Sequence, residues 1–189
     1  MTEGFFESLL HLKSMISKWC KLEEKSIFQG TYTSLILKTF RLPNGLVHEY
    51  EISQGHRSAV VLAFTQDGLL IVEKQFRAGP EMIGYELPAG ILEEGELPLE
   101  GIIRELGEET GYTGDFEFVT KAYPSAYSNA VEYVFVAKNC HKEIATSFDE
   151  CEHLETILMT LTEFRQLLKS GKVLNPHAAY LGLDYLNLL

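Results

Sequence analysis

The hydrophobic pattern of the chain predicts several strands. Residues 59–65 are almost uninterrupted in apolar character, which is typical of a strand buried on both faces. Gln66-Asp67-Gly68 then favours a turn, and residues 69–77 predict a second strand that pairs back as a hairpin. Shorter patterns predict further strands over 34–41, 47–52, 115–121, 131–137 and 155–160. The chain is therefore expected to contain a substantial sheet.

Helical spacing of apolar residues predicts four helices. Residues 4–20 carry a wide apolar stripe, which suits either a membrane-surface or partner helix or a helix packed on its own domain or a dimer mate. We favour packing, because the polar face is not strongly basic. A central helix is predicted over 97–109, with Pro98 in its first turn and Gly111 as its stop. Later helices are expected over 161–169, with Thr162 as N-cap, and over 176–188. Strands mixed with a few helices indicate an α/β or α+β layered domain.

Composition narrows the class of protein. A length of 189 residues suits one domain, or one domain with an appendage, and a net charge of -11 disfavours a duplex nucleic-acid binder. The three cysteines, Cys20, Cys140 and Cys151, show no CxxC spacing, which indicates a reducing compartment. Neither a secretory signal pattern nor an apolar run long enough to span a bilayer is found. We expect a cytoplasmic protein without a membrane partner.

Acidic residues crowd the predicted central helix. Glu105, Glu108 and Glu109 fall within five positions. Because each helical residue advances ~100°, Glu109 lies ~40° to one side of Glu105 and Glu108 ~60° to the other. Three carboxylates on one face repel one another unless a cation compensates them, and hard oxygen donors suit Mg²⁺ or Mn²⁺. Arg104 is placed to orient the carboxylates by paired hydrogen bonds. The plainer interpretation, a solvated helix face with ion pairs, explains neither Gly90 nor Glu96 upstream.

The spacing of this segment identifies a family resemblance. It follows Gly-x5-Glu-x7-Arg-Glu-U-x-Glu-Glu-x-Gly-U, where U is bulky and apolar, and Tyr112 replaces the usual aliphatic residue at the end. The matching positions are Gly90, Glu96, Arg104, Glu105, Leu106, Glu108, Glu109 and Gly111. This is the Nudix box, and the chain resembles a Nudix hydrolase. The resemblance implies a mixed β-sheet sandwiched between helices. We expect a helical appendage over 1–22, an N-terminal strand region that favours dimerisation over 23–55, and the Nudix domain over 56–189.

The resemblance also implies a set of metal ligands. Glu105 and Glu109 would be the chief side-chain ligands, Glu108 an additional or water-mediated one, and the backbone carbonyl of Ala89 a further ligand. Glu96 would hold the box loop by hydrogen bonding to the helix.

The flanks of the box resemble the ADP-ribose and nucleoside-diphosphate-sugar pyrophosphatase branch. The similar segments are Gln75-Phe76-Arg77, Glu86-Leu87-Pro88-Ala89-Gly90 and the turn at 42–45. Arg77 is the best candidate for binding phosphate, because its planar fork matches phosphate oxygens; the alternative is a surface arginine at a strand end. Gln75 and Glu86 are weaker candidates for substrate contact, and Glu86 would otherwise bind the box loop.

Two segments after the box are expected to complete the site. Pro124 is the counterpart of a proline of this branch, but it falls early, and Tyr127 lies nearer the expected place. A tyrosine there is associated with dinucleoside polyphosphate hydrolysis; it would stack on a base or simply pack in its loop. In the acidic loop 149–155, Glu152 is our first candidate for the catalytic base or an extra metal ligand, and Glu150 the second. The alternative is a solvated acidic loop.

The sequence thus predicts a Mg²⁺-dependent pyrophosphohydrolase, with Mn²⁺ as the other suitable ion. It would cleave ADP-ribose or another nucleotide sugar to a nucleoside monophosphate and a sugar phosphate, and a homodimer is expected. Two alternatives stay open. One is a dinucleoside polyphosphate or nucleoside triphosphate hydrolase, and the other is a non-catalytic nucleotide sensor on the same fold.

Overall fold

The computed structural model describes residues 16–143, 145–146 and 153–189. Within these ranges the chain forms two compact units. One comprises residues up to Gly55 together with Tyr127–Asn129, and the other comprises His56–Ala126 and the residues from Ala130 onward.

The N-terminal unit is a three-stranded antiparallel sheet in the order β1-β2-β3. Its strands are β1 (Cys20–Gln29), β2 (Ser34–Arg41) and β3 (Val47–Gln54). The turn before β3 contains Gly45, whose φ of 86° lies in the left-handed region that glycine favours. Ser53 on β3 donates its backbone N–H to the carbonyl of Tyr127 at 2.9 Å, which ties residues 127–129 to this sheet.

The predicted helix over 4–20 is wrong at its end. Residues 16–19 have no regular structure, and Cys20 already pairs with Arg41 as the first residue of β1. Pairing with a strand 21 positions away overrides the local helical pattern here. Residues 1–15 lie outside the described part of the chain.

The larger unit is built on a seven-stranded mixed sheet. The main path runs β10-β5-β4-β9-β8, in which β4 and β9 are parallel and the other neighbours antiparallel. Its strands are β4 (Arg57–Thr65), β5 (Leu70–Arg77), β6 (Met82–Glu86), β7 (Ala89–Ile91), β8 (Tyr112–Ala122), β9 (Val131–Lys142) and β10 (Leu154–Met159). The short strands β6 and β7 were not predicted from the sequence.

Helices cover both faces of this sheet. Their bounds are α1 (Pro98–Thr110), α2 (Leu161–Lys169) and α3 (Pro176–Tyr185). On one face Ala59, Val61 and Ala63 of β4 share a buried cluster with Ile102 and Leu106 of α1. On the other, Val60 and Leu62 share a cluster with residues of α2 and α3, namely Phe164, Leu168, Ala178, Ala179 and Leu183. The predicted sandwich is confirmed, as is the burial of β4 on both faces.

Two helix boundaries differ from the prediction. The N-cap of α2 is Thr160, not Thr162, and α3 ends at Tyr185 rather than at 188. Thr160 and Glu163 form a capping box. Thr160 Oγ1 accepts the backbone N–H of Glu163 at 3.3 Å, and Glu163 Oε2 accepts that of Thr160 at 2.8 Å. None of the helices in the described residues has the length and apolar character to cross a membrane.

The sheet is split where the segment that leads into the box enters it. β4 and β5 pair directly only at Ala63–Ile71 and Phe64–Leu70. Beyond these pairs, β5 takes β6 as its neighbour and β4 takes β7. The segment 82–91 therefore inserts between the two strands. The box loop leaves the sheet from β7 and returns to it as α1.

Candidate active site

The box begins on β7, where Ala89 pairs with Val60 and Gly90 with Ala59. A Cβ built on Gly90 would lie 1.9 Å from Cδ and 2.0 Å from Oε1 of Glu105. The carboxylate of Glu105 therefore lies directly against the backbone next to Ala89. Only glycine leaves room for this contact, which brings two of the predicted ligands, the Ala89 peptide and Glu105, to the same place.

Arg104 ties the box loop to α1. Its Nε and Nη2 donate to the two carboxylate oxygens of Glu96 at 3.0 and 3.1 Å. Glu96 also accepts the backbone N–H of Glu93 at 2.8 Å. The hydrogen bonds from Arg104, and to a smaller extent the one from the backbone of Glu93, lower the pKa of Glu96 below its ordinary value. The hydrogen bonds between Arg104 and Glu96 also raise the pKa of Arg104. The structure thus gives Glu96 the loop-holding contact that the resemblance implied.

The same guanidinium reaches two of the clustered glutamates. Arg104 Nη1 lies 2.9 Å from Oε1 of Glu105 and 3.0 Å from Oε2 of Glu108. These ion pairs offset part of the repulsion between the neighbouring carboxylates and restrict their orientation.

Gly101 explains how the loop packs so closely on α1. A Cβ at this position would lie 2.3 Å from Cδ2 of Leu92 and 2.9 Å from Oε2 of Glu96. A glycine inside a helix costs about 1 kcal/mol relative to alanine. Here that cost is offset by the approach of the loop that carries Glu96.

The carboxylates on α1 differ in exposure. Glu109 is 7% exposed, and the side chains of Glu105 and Glu108 are 14% and 45% exposed. Within the residues described, no three His, Cys, Asp or Glu side chains are already grouped as a metal site, and Arg104 holds an oxygen of both Glu105 and Glu108. The donors are nevertheless all hard oxygens, two of the carboxylates are largely buried, and the Ala89 peptide lies beside Glu105. This donor set fits a divalent cation that completes its coordination with water and substrate.

Arg77 and Glu86 form a two-pronged ion pair between β5 and β6. Arg77 Nε lies 2.6 Å from Glu86 Oε1, and Nη2 lies 2.8 Å from Oε2. The hydrogen bonds to Glu86 raise the pKa of Arg77, and the charges of Glu73 and Glu109 add to the effect. The contact described for Glu86 is with Arg77 rather than with the box loop.

Glu73 is a buried carboxylate to which the sequence analysis gave no role. It is only 2% exposed and lies between Glu86 of β6 and Thr156 of β10 in the sheet. Alternation along β5 places it on the same side of the strand as Gln75 and Arg77. The sequence signal was a charged residue directly after the apolar run 69–72, inside a predicted strand.

Three further predicted site residues lie in the described part of the chain. Gln75 lies between Gly84 and Leu154 in the sheet, and Pro124 lies in the bend after β8. Tyr127 belongs to the N-terminal unit, and its side chain is largely exposed. Glu150 and Glu152 fall outside the described residues, so their roles stay predictions.

The chain is similar in sequence to known proteins over most of its length. Residues 55–178 match the family model described as "NUDIX domain". The chain is 37% identical over 175 residues to the ADP-ribose pyrophosphatase of Bacillus subtilis (strain 168), covering 88% of this chain and 94% of that protein. It is 31% identical over 170 residues to the methanol dehydrogenase activator of Bacillus methanolicus, covering 88% and 91%.

A solved structure shares the fold. The crystal structure of an ADP compounds hydrolase superposes with a TM-score of 0.75 at 20% identity, covering 92% of this chain and 98% of that one. The family model spans the box, the strands β4 to β10 and the helices α1 and α2. The Bacillus subtilis relative matches over most of both chains. The chain therefore belongs to the Nudix family and is a Nudix hydrolase.

Proposed function

We propose that this enzyme hydrolyses the diphosphate of ADP-ribose or a similar nucleoside diphosphate sugar. The observation that carries the proposal is the contact of the Glu105 carboxylate with the backbone at Gly90, four residues after the glutamate that holds Arg77. A bound diphosphate requires a cationic side chain that contacts its phosphate oxygens and carboxylates that hold its metal ion. The similarity to an ADP-ribose pyrophosphatase supports the sugar-linked substrate over other diphosphates.

Nudix hydrolases generally use divalent metal ions, and we propose Mg²⁺ here, with Mn²⁺ as a substitute. The proposed ligands are the Ala89 carbonyl, Glu105 and Glu109, with Glu108 as a further donor. Glu152 is the alternative extra ligand if it does not act as the base. When bound, such a cation neutralises charge on the diphosphate and lowers the pKa of the attacking water.

Side chains of the protein carry out the remaining steps. Arg77 donates hydrogen bonds to phosphate oxygens while Glu86 holds its guanidinium, and Gln75 contributes a further polar contact. Glu152, with Glu150 as second candidate, takes the proton from the water. The water oxygen bonds to one phosphorus and the bridging P–O bond breaks, which leaves a nucleoside monophosphate and a sugar phosphate.

A substrate panel tests the proposal. The purified full chain is incubated either with Mg²⁺ or with EDTA and is then removed by filtration. After Zn²⁺ and Mg²⁺ have been added in excess over the EDTA, alkaline phosphatase releases phosphate from the monoester products of ADP-ribose, UDP-glucose and diadenosine tetraphosphate. Triphosphates, which phosphatase itself attacks, are resolved by ion-exchange chromatography. We expect the highest kcat/KM on a nucleotide sugar and none with EDTA.

Two other outcomes would each replace the proposal. A clear preference for diadenosine tetraphosphate or a triphosphate would favour the alternative hydrolase that Tyr127 suggested. Tight ADP-ribose binding in a calorimeter without turnover would favour the nucleotide sensor.

We also propose that the enzyme is a cytoplasmic homodimer that associates through its N-terminal strands. In the N-terminal unit β1 is exposed along its whole length, with Leu22, Ile27 and Phe28 among its exposed apolar residues. Light scattering at micromolar concentration is expected to give twice the chain mass of 21.4 kDa. A monomeric mass would contradict the proposed dimer.

A further inference from the structure

Asn175, in the connection between α2 and α3, holds the backbone of Leu87 from both sides. The N–H of Leu87 donates to Asn175 Oδ1 at 3.0 Å, and Asn175 Nδ2 donates to the carbonyl of Leu87 at 3.1 Å. These residues are 88 positions apart, and Leu87 is only 1% exposed. Two opposed hydrogen bonds from one planar amide fix both the position and the orientation of a residue's backbone.

The side chain of Asn175 does not perform the usual task of its position. Asn175 is the N-cap residue of α3, where an asparagine side chain commonly accepts a hydrogen bond from the first turn of the helix. It makes no such cap bond here. Its amide is turned toward Leu87 instead, so helix capping does not explain this contact.

The backbone around Asn175 reinforces the contact. Tyr85 donates its N–H to the carbonyl of Lys172, and Leu174 donates to the carbonyl of Tyr85, both at 2.9 Å. Leu174 also packs so closely on Gly84 that a Cβ there would lie 2.7 Å from its Cδ1. Residues 172–175 therefore line the edge of β6 that β5 leaves free.

We propose that Asn175 is a positioning residue for the hydrolysis. Leu87 directly follows Glu86, which holds Arg77, and precedes Ala89 by two residues. By fixing the Leu87 backbone, Asn175 sets the Glu86–Arg77 pair on one side and the carbonyl of Ala89 on the other. The inference rests on the proposed function for the roles of Arg77 and Ala89.

Two variants separate positioning from stability. Asn175→Asp keeps a good N-cap and an acceptor for the Leu87 N–H, but it loses the donor to the Leu87 carbonyl. Asn175→Ala loses both contacts. At a temperature where circular dichroism shows a folded chain, we expect both to raise KM for ADP-ribose by about tenfold or more, because a buried carbonyl left without its donor shifts the backbone. Mn²⁺ affinity, measured by electron paramagnetic resonance without substrate, is expected to weaken as well.

A matched control and a double-mutant cycle complete the test. Asn187→Asp makes the same chemical change at an exposed C-terminal position and is expected to match wild type.

The double mutant tests whether Asn175 acts through Arg77. If it does, the KM of the Asn175→Ala, Arg77→Ala double mutant rises by less than the product of the two single-mutant increases. Multiplicative effects would overturn the route through Arg77. Wild-type KM and Mn²⁺ affinity in both Asn175 variants would overturn the inference as a whole. Should wild type turn over no substrate, the proposed function fails, and the Mn²⁺ measurement still decides the role of Asn175 toward Ala89.

Discussion

Gly90 and Glu105 lie in direct contact, the backbone of one against the carboxylate of the other. A Cβ at residue 90 would fall within 2.4 Å of all three carboxyl atoms of Glu105. The glycine of the box is therefore required to make room for the side chain of a proposed metal ligand, rather than to form a backbone turn.

Gly90→Ala is expected to lower kcat by at least about tenfold while the chain stays folded. The end of a glutamate side chain moves aside more readily than the backbone, so the added methyl displaces the proposed metal ligand. Loss of a residue that merely orients a metal ligand already costs about 10–100-fold. Steady-state kinetics and thermal melting measure the two effects. Gly79→Ala is the matched control, because a Cβ there meets no atom within 4 Å. Equal activity in the two variants would contradict the assignment of Glu105.

Glu109→Gln is expected to lower kcat by about 100-fold or more without unfolding the chain. The amide keeps the shape of the side chain but removes the charge that would bind a divalent cation. Glu100→Gln is the control on the same helix, since Glu100 is exposed and its contact, from the N–H of Leu97, survives in an amide. Near-normal turnover by Glu109→Gln would remove Glu109 from the ligand set.

The stability of the box loop is expected to depend on pH through Glu96. Arg104 lowers the pKa of Glu96 below its ordinary value of 4.5. A carboxyl with a lowered pKa in the folded state stabilises the protein fully above its ordinary pKa, and that contribution is lost as the pH falls through the lowered value. Glu96→Gln should therefore be less stable than wild type at neutral pH, and the difference should shrink below pH 4.5.

Urea unfolding of wild type and Glu96→Gln across a series of pH values measures this difference. Glu94→Gln changes an exposed glutamate of the same loop and serves as the control. A difference in unfolding free energy that stayed constant with pH would show that the charge of Glu96 is not its cause.

The N-cap of α2 offers a test of the fold alone. Thr160→Ala removes the acceptor of the Glu163 N–H and is expected to cost about 1 kcal/mol of unfolding free energy. Thr162→Ala, two residues into the helix, is expected to cost less, because Thr162 has no such role. Urea midpoints give both values, and the reverse order would restore Thr162 as the cap.

The local pattern of the sequence determined the box helix, the doubly buried strand and the family. Pro98, Gly111 and the spacing from Gly90 to Glu109 act within a few turns of chain, so they are visible without coordinates. The N-cap was missed although its signal was present, since Thr160-x-x-Glu163 is itself a capping box.

Only the tertiary structure decided which residues meet. The Arg77 side chain reaches Glu86 along the β5–β6 pair, although the register sets Arg77 opposite Met82. Glu105 reaches Gly90 because the box loop folds back on α1. The burial of Glu73 depends on both of its neighbouring strands, and the contact of Asn175 with Leu87 spans 88 positions. Periodicity reports which face of an element is buried, whereas side-chain partners depend on how elements are paired.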